Sequence, residues 1–219
     1  MRVVIAGGHG KIALILEQLL SARGDDVAGL IRNPDQAADL QAAGAQAIVL
    51  DLERASVDEV ADALRGADAV VFAAGAGPGS GAARKQTVDR DAAILLADAA
   101  EAAGVGRYVM VSALAADDRS LDANYDEVFQ AYMHAKSEAD ADVRARAGLR
   151  TTIVRPGGLT DEPATGNVMV AESTGRGTIP RADVAHVLLA VLHEPETAGR
   201  TFEVISGEMP IDAALHPRQ

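Results

Sequence analysis

The chain contains no cysteine and no tryptophan, and aromatic residues make up only 3% of it. Without cysteine there are no disulfides, no thiolate zinc sites and no cysteine nucleophile. No apolar run approaches the ~18 residues that a membrane-spanning helix needs. Positive charge is also scarce: 20 Lys and Arg stand against 32 Asp and Glu, a net charge of −12. A surface of that sign repels nucleic-acid phosphates and anionic lipids, so neither partner is expected. Residues 2–6 (RVVIA) enter a strand-like run at once, without the layout of a signal peptide, and a cytoplasmic location is expected. Hydrophobic residues fill 48% of 219 positions, ample for a core, and the length fits a single domain over 1–219.

Short β-branched runs alternate with longer alanine-rich segments. Strands are expected at 3–5, 27–31, 47–50, 69–72, 108–111, 152–154 and 201–205. Each is almost continuously apolar, as parallel strands covered on both faces are. Helical spacing is expected over 12–22, 34–43, 57–64, 87–103, 126–147 and 182–193. Gly24, Gly44, Gly66, Gly104 and Gly148 sit just past helices, where a left-handed cap favours glycine. Repeated strand–helix–strand units predict an α/β fold, a doubly wound, mostly parallel Rossmann-like sheet with helices on both faces. Two stretches break the alternation: 75–81 (GAGPGSG) and 157–178, each at the carboxyl end of an expected strand. Open α/β sheets bind ligands there. Substrate-pocket segments are expected over about 113–131 and 157–178, the latter in a small C-terminal substrate-side region.

The first strand runs into Gly7-Gly8-His9-Gly10-Lys11-Ile12-Ala13 and then a helix. Glycine permits the tight turn and lets backbone approach a pyrophosphate, while free N–H groups at the helix start face the phosphates. A dinucleotide site over Gly7 to Ile12 is therefore expected, with His9 either touching phosphate or pointing to solvent. The second strand ends in Leu30-Ile31-Arg32-Asn33-Pro34, with no acid between positions 27 and 34. An NAD site usually carries an acid there for the ribose 2′-hydroxyl. Arg32 can clamp a 2′-phosphate with Asn33 beside it, so NADP(H) is expected, with NAD(H) the alternative. Asp51 and Leu52, after the third strand, stand where adenine would lie, although Asp51 could equally cap a helix. Ala73, Ala74 and Gly75 are small enough to let adenosine lie on the sheet.

Tyr132 and Lys136 are four apart on one expected helix and share a face, and the fifth strand ends at Ser112. A free phenol has a pKa near 10, and a neighbouring ammonium is expected to lower it. The phenol then passes a proton to a carbonyl oxygen that Ser112 orients. Five histidines (9, 134, 186, 193, 216) show no metal spacing with carboxylates, and no metal site is expected. Arg155 reads as an internal ion-pair residue and Asp183 as an early helix residue.

Together these features resemble the short-chain dehydrogenase/reductase superfamily, and within it the atypical NAD(P)H-binding branch of flavin-reductase-like, NmrA-like and small epimerase-like proteins. The resemblance spans roughly residues 2–206. Besides the glycine loop, Ser112, Tyr132 and Lys136, it rests on residues 88–91 (VDRD), 155–160 (RPGGLT) and 179–185 (IPRADVA). It implies Gly7, Gly10 and Arg32 for cofactor, Ser112, Tyr132 and Lys136 for catalysis, Lys136 also on the nicotinamide ribose, and Pro156 and Gly157 beside the nicotinamide. Twenty residues separate Ser112 from Tyr132, nearer the extended epimerase-like pattern, yet the chain is too short for that pattern's full C-terminal domain. An NADP-dependent oxidoreductase acting on a small carbonyl or alcohol is expected. An epimerase- or dehydratase-like enzyme that keeps its cofactor, or a non-catalytic NADPH sensor, are the alternatives. A small-molecule substrate is expected, with the chain a monomer or a homodimer.

Overall fold

A computed structural model of the chain describes residues 1–77 and 79–216; Pro78, inside the 75–81 stretch, lies outside them. Its first half is a run of strand–helix units: β1 (Arg2–Ala6), α1 (Lys11–Ala22), β2 (Asp26–Ile31), α2 (Ala37–Ala42), β3 (Gln46–Val49), α3 (Val57–Ala63) and β4 (Ala69–Phe72). Then come α4 (Ala82–Arg84), a π-helical segment Lys85–Asp91, α5 (Ala92–Ala103), β5 (Arg107–Val111), α6 (Glu127–Ala145) and β6 (Arg150–Pro156). The chain ends with β7 (Gly158–Thr160), β8 (Asn167–Ala171), β9 (Thr178–Pro180), α7 (Arg181–His193), β10 (Thr201–Ser206), β11 (Met209–Pro210) and α8 (Ile211–Leu215).

The main sheet has the order β11-β8-β10-β6-β5-β4-β1-β2-β3 among the described residues. Pairing is parallel from β10 through β3, while β8 is antiparallel to both β10 and β11. The strand order reverses between β1 and β4, so the carboxyl ends of those two strands open a crevice. Alternate residues of β1 serve two cores, which is why its run is apolar throughout. Val3 and Ile5 pack with Leu16 and Leu20 of α1 and Val184 and Leu188 of α7. Val4 and Ala6 pack on the opposite face with Val60, Leu96, Phe72 and Tyr108. The Tyr108 hydroxyl, fully buried, donates to the Ala93 carbonyl at 2.9 Å.

Every expected strand is present, and the doubly wound fold is as expected. The 157–178 stretch differs, because it is not one long loop but holds β7, β8 and the start of β9. Val168 is buried and Met169 exposed, the alternation of a strand with one covered face. Gly148 also departs: α6 unwinds at Arg146, which bonds Asp142, Asp98 and Glu101, and no left-handed glycine closes it.

One side chain in the first unit defies its surroundings. Glu17 of α1 is fully buried, and neither carboxylate oxygen has a hydrogen-bond partner. Its space comes from two glycines: a Cβ on Gly29 would lie 2.6 Å from Glu17 Oε1, and one on Gly8 would lie 3.0 Å away.

Candidate active site

The crevice at the strand-order reversal has a volume of about 300 Å³. Gly7, His9, Gly10, Arg32, Asn33, Asp51, Leu52, Ala73, Ala74 and Gly75 line it. Gly7 takes φ +81°, and a Cβ there would meet Ala74 Cα at 2.6 Å, so loop and sheet touch backbone to backbone. Gly10 caps α1 without any side-chain bond, and no acid sits in the first turn. The helix therefore offers its amino end, with its partial positive charge, to the crevice. A floor without side chains beside a row of N–H donors fits a dinucleotide pyrophosphate.

Of the other residues of the expected loop, Gly8 is buried against Gly29, Lys11 pairs with Asp161 at 2.6 Å, and Ile12 lines the neighbouring cavity. His9 lines the crevice, and its Nε2 meets Asp39 Oδ2 at 2.7 Å. Asp51 does not cap α3; Ser56 does, in a capping box with Glu59. Instead Asp51 Oδ1 accepts from the Glu53 N–H at 3.1 Å.

At the far end of the crevice Arg32 meets a residue absent from the sequence reading. Its guanidinium donates to Glu53 Oε2 at 2.9 Å, and Arg84 donates to the same oxygen at 2.7 Å. Thr87 donates to Glu53 Oε1 at 2.8 Å. Arg84 foremost, with Thr87 and Arg32, holds the Glu53 carboxyl below the usual carboxylate range. An acid does stand near the ribose position, but it comes from the turn after β3 and two guanidiniums neutralise it.

A second cavity, about 750 Å³, adjoins the crevice across the shared wall of Ala73 and Ala74. Ser112, Tyr132, Lys136, Pro156 and Gly157 all line it, so strand ends and one helix face converge there. Of the two expected pocket segments, Leu114, Tyr125, Phe129, Leu159 and Gly177 do face this cavity or the recess beside it. Residues 167–171 do not, being part of the sheet. Tyr125, Phe129 and Tyr132 form an aromatic row with ring centroids 4.4 and 5.6 Å apart.

The electrostatics differ from expectation in two respects. Lys136 is buried, donates to the Val111 carbonyl at 3.1 Å and pairs with Asp89, itself buried, at 3.5 Å. Its charge is thus committed, and the phenol of Tyr132 is raised rather than lowered: burial, then the carboxylates of Asp89 and Asp140, oppose the phenolate. Secondly, the Ser112 hydroxyl donates to Asp140 Oδ2 at 2.8 Å, not into the cavity. Asp140 lies one turn beyond Lys136, and Arg155 Nε holds the same oxygen at 2.8 Å while its other arm reaches Asp117 at 2.7 Å. Burial keeps the Asp140 carboxyl above the usual range, although Arg155 and Ser112 act in the opposite direction. Arg155 is the internal ion-pair residue its position suggested, and Asp183 is buried under the N–H groups of Thr165 and Gly166. No group of three or more His, Cys, Asp or Glu able to hold a metal occurs among the described residues, and no described helix is long and apolar enough to cross a membrane.

Fold and crevice together define a nicotinamide-dinucleotide-binding protein of Rossmann type. Residues 7–195 match the family described as NAD(P)H-binding, and the chain belongs to that family. Its relatives fit the atypical short-chain dehydrogenase/reductase branch. It is 41% identical to the uncharacterized sugar epimerase YhfK of Bacillus subtilis (strain 168), over 98% of this chain and 99% of that one. It is 35% identical to the UPF0659 protein YMR090W of Saccharomyces cerevisiae, over 97% and 96%. Among solved structures, a Bacillus halodurans protein provisionally named an NAD-dependent epimerase/dehydratase superposes with TM-score 0.90 at 35% identity, covering all of both chains. The Lactococcus lactis oxidoreductase ylbE superposes with TM-score 0.85 at 25% identity, covering 98% of this chain and 95% of that one.

Proposed function

We propose that the protein is an NADP-dependent reductase of small carbonyl compounds, with Tyr132 as proton donor. The observation that carries this reading is the shared wall: the phenol of Tyr132 lines the cavity that adjoins the dinucleotide crevice at Ala73 and Ala74. A nicotinamide held in the crevice would supply the hydride. Pro156 and Gly157, which line the same cavity, would flank the nicotinamide, and Lys136, fixed by Asp89, would hold the ribose hydroxyls. Tyr132, kept protonated by burial, releases its proton to the substrate oxygen. Ser112 serves as an acceptor and a wall, since its own proton goes to Asp140.

NADP is favoured over NAD because Arg32, Arg84 and Asn33 meet at the ribose end. A 2′-phosphate would take the guanidinium arms now held by Glu53. Arg32→Ala is expected to lower the preference for NADPH over NADH about 10–100-fold, the worth of a charge-assisted pair. Cofactor titrations of both proteins test it, and unchanged selectivity would overturn the assignment.

The name of the B. subtilis relative raises a second reading, an epimerase that recycles its cofactor. The aromatic row favours a substrate with a planar ring instead. The deciding measurement is thermal stabilisation by NADPH and NADH, about 2.7 kcal/mol at a hundredfold excess over Kd, followed by a carbonyl panel. Reduction with consumption of NADPH is expected. Product formed without net consumption would decide for the epimerase, and no turnover with cofactor bound would decide for a sensor.

A further inference from the structure

In a chain of net charge −12, the charges on the second cavity run the other way. Lys85, Lys136 and Arg181 line it against a single acid, Asp126. Three of the four are already engaged: Lys136 with Asp89, Arg181 with Asp161 at 2.7 Å, and Asp126 as the cap that accepts from the Phe129 N–H. Lys85 is the exception. Among the described residues no carboxylate lies within 4.0 Å of its ammonium, which donates only to the Gly77 carbonyl at 3.0 Å. It stands over the Tyr132 ring, 5.3 Å from the centroid.

The backbone explains how it gets there. Lys85–Asp91 is π-helical, and i→i+5 bonding widens the turn so that residues four apart nearly align. Lys85 and Asp89 thus share a side of the segment, which faces Tyr132 and Lys136: Asp89 pairs with Lys136, and the two ammonium groups stand 5.3 and 5.9 Å from the Tyr132 ring centroid, one with a carboxylate partner and one without. The adjoining recess adds Arg176, which likewise has no carboxylate partner among the described residues. Such a basic wall inside an acidic protein concentrates anions at one place.

We propose that Lys85 is a substrate-binding residue that takes the carboxylate of a planar conjugated carbonyl compound, its rings lying along Tyr125, Phe129 and Tyr132. This rests on the reductase reading for the word substrate, but the anion subsite can be tested apart from turnover. The probes are benzoate and its neutral isostere benzamide, titrated by calorimetry into full-length protein saturated with NADPH. Benzoate is expected to bind about tenfold tighter than benzamide to the native protein and in Lys85→Arg. In Lys85→Met, which should melt like the native protein because the side chain is partly exposed, the advantage is expected to vanish. Equal binding of the two probes, no binding of either, or benzoate preference retained in Lys85→Met would each overturn the proposal. So would a tenfold loss of NADPH affinity in Lys85→Met, which would make this lysine a cofactor residue. Turnover of 4-formylbenzoate against its methyl ester reports separately: failure to reduce either, with the benzoate preference intact, would sink the reductase reading and leave the subsite established.

Discussion

Tyr132→Phe is expected to lower kcat for NADPH-dependent carbonyl reduction about 10²–10⁴-fold, the usual worth of a positioned proton donor, with NADPH affinity little changed. Tyr132 lines the cavity with Ser112 and Lys136, and those two are already committed. Ser112 gives its proton to Asp140, and Lys136 is held by Val111 and Asp89. Because burial and two carboxylates raise the phenol above its ordinary value, it stays protonated throughout the neutral range. Reduction should therefore keep its rate up to about pH 9, near the ordinary phenol pKa of about 10. A phenol acidified by its lysine would lose activity on the alkaline side well before that. Steady-state rates of native and variant protein from pH 6 to 9.5 distinguish the two, and full turnover by Tyr132→Phe would remove this residue from the chemistry.

Glu17→Gln is expected to stabilise the protein at pH 8 by several kcal/mol relative to pH 5. With both oxygens buried and unpartnered, burial pushes the Glu17 carboxyl from 4.5 up to about 8. Between those values the unfolded chain has released the proton and the folded chain still binds it. Stability consequently falls as pH rises, at up to roughly 1.4 kcal/mol per unit, and levels off above about pH 8. Glutamine fills the same space without a charge to expel. Urea unfolding at pH 5 to 9 should show a gap that opens in favour of the variant up to about pH 8 and then stays constant. A gap independent of pH would mean that Glu17 is solvated or paired in the folded protein.

Much of this architecture was legible because its signals are local. The glycine loop between a strand and a helix, and a tyrosine four residues before a lysine, need no knowledge of distant parts. The strands that escaped notice, β7, β8, β9 and β11, are two to five residues long, and all but β8 contain glycine, proline or threonine. Their pairing partners, not their composition, make them strands. Non-local charges were illegible for the same reason. Glu53 reaches Arg32 from another turn of the sheet, Asp89 arrives at Lys136 from the π-helical segment, and Asp140 draws Ser112 away from the cavity. The sign of the tyrosine shift followed from these partners and from burial, neither of which the spacing of Tyr132 and Lys136 contains.

The two margins of the main sheet are unlike. On one side β11 is only Met209–Pro210, and the proline ring has no N–H to offer an incoming chain. On the other, β3 offers four residues, Gln46–Val49, about 13 Å of backbone ending in an exposed valine. Lateral pairing of one molecule with another is thus weakened at one border and limited to four residues at the other, so neither margin offers a long template for an added strand.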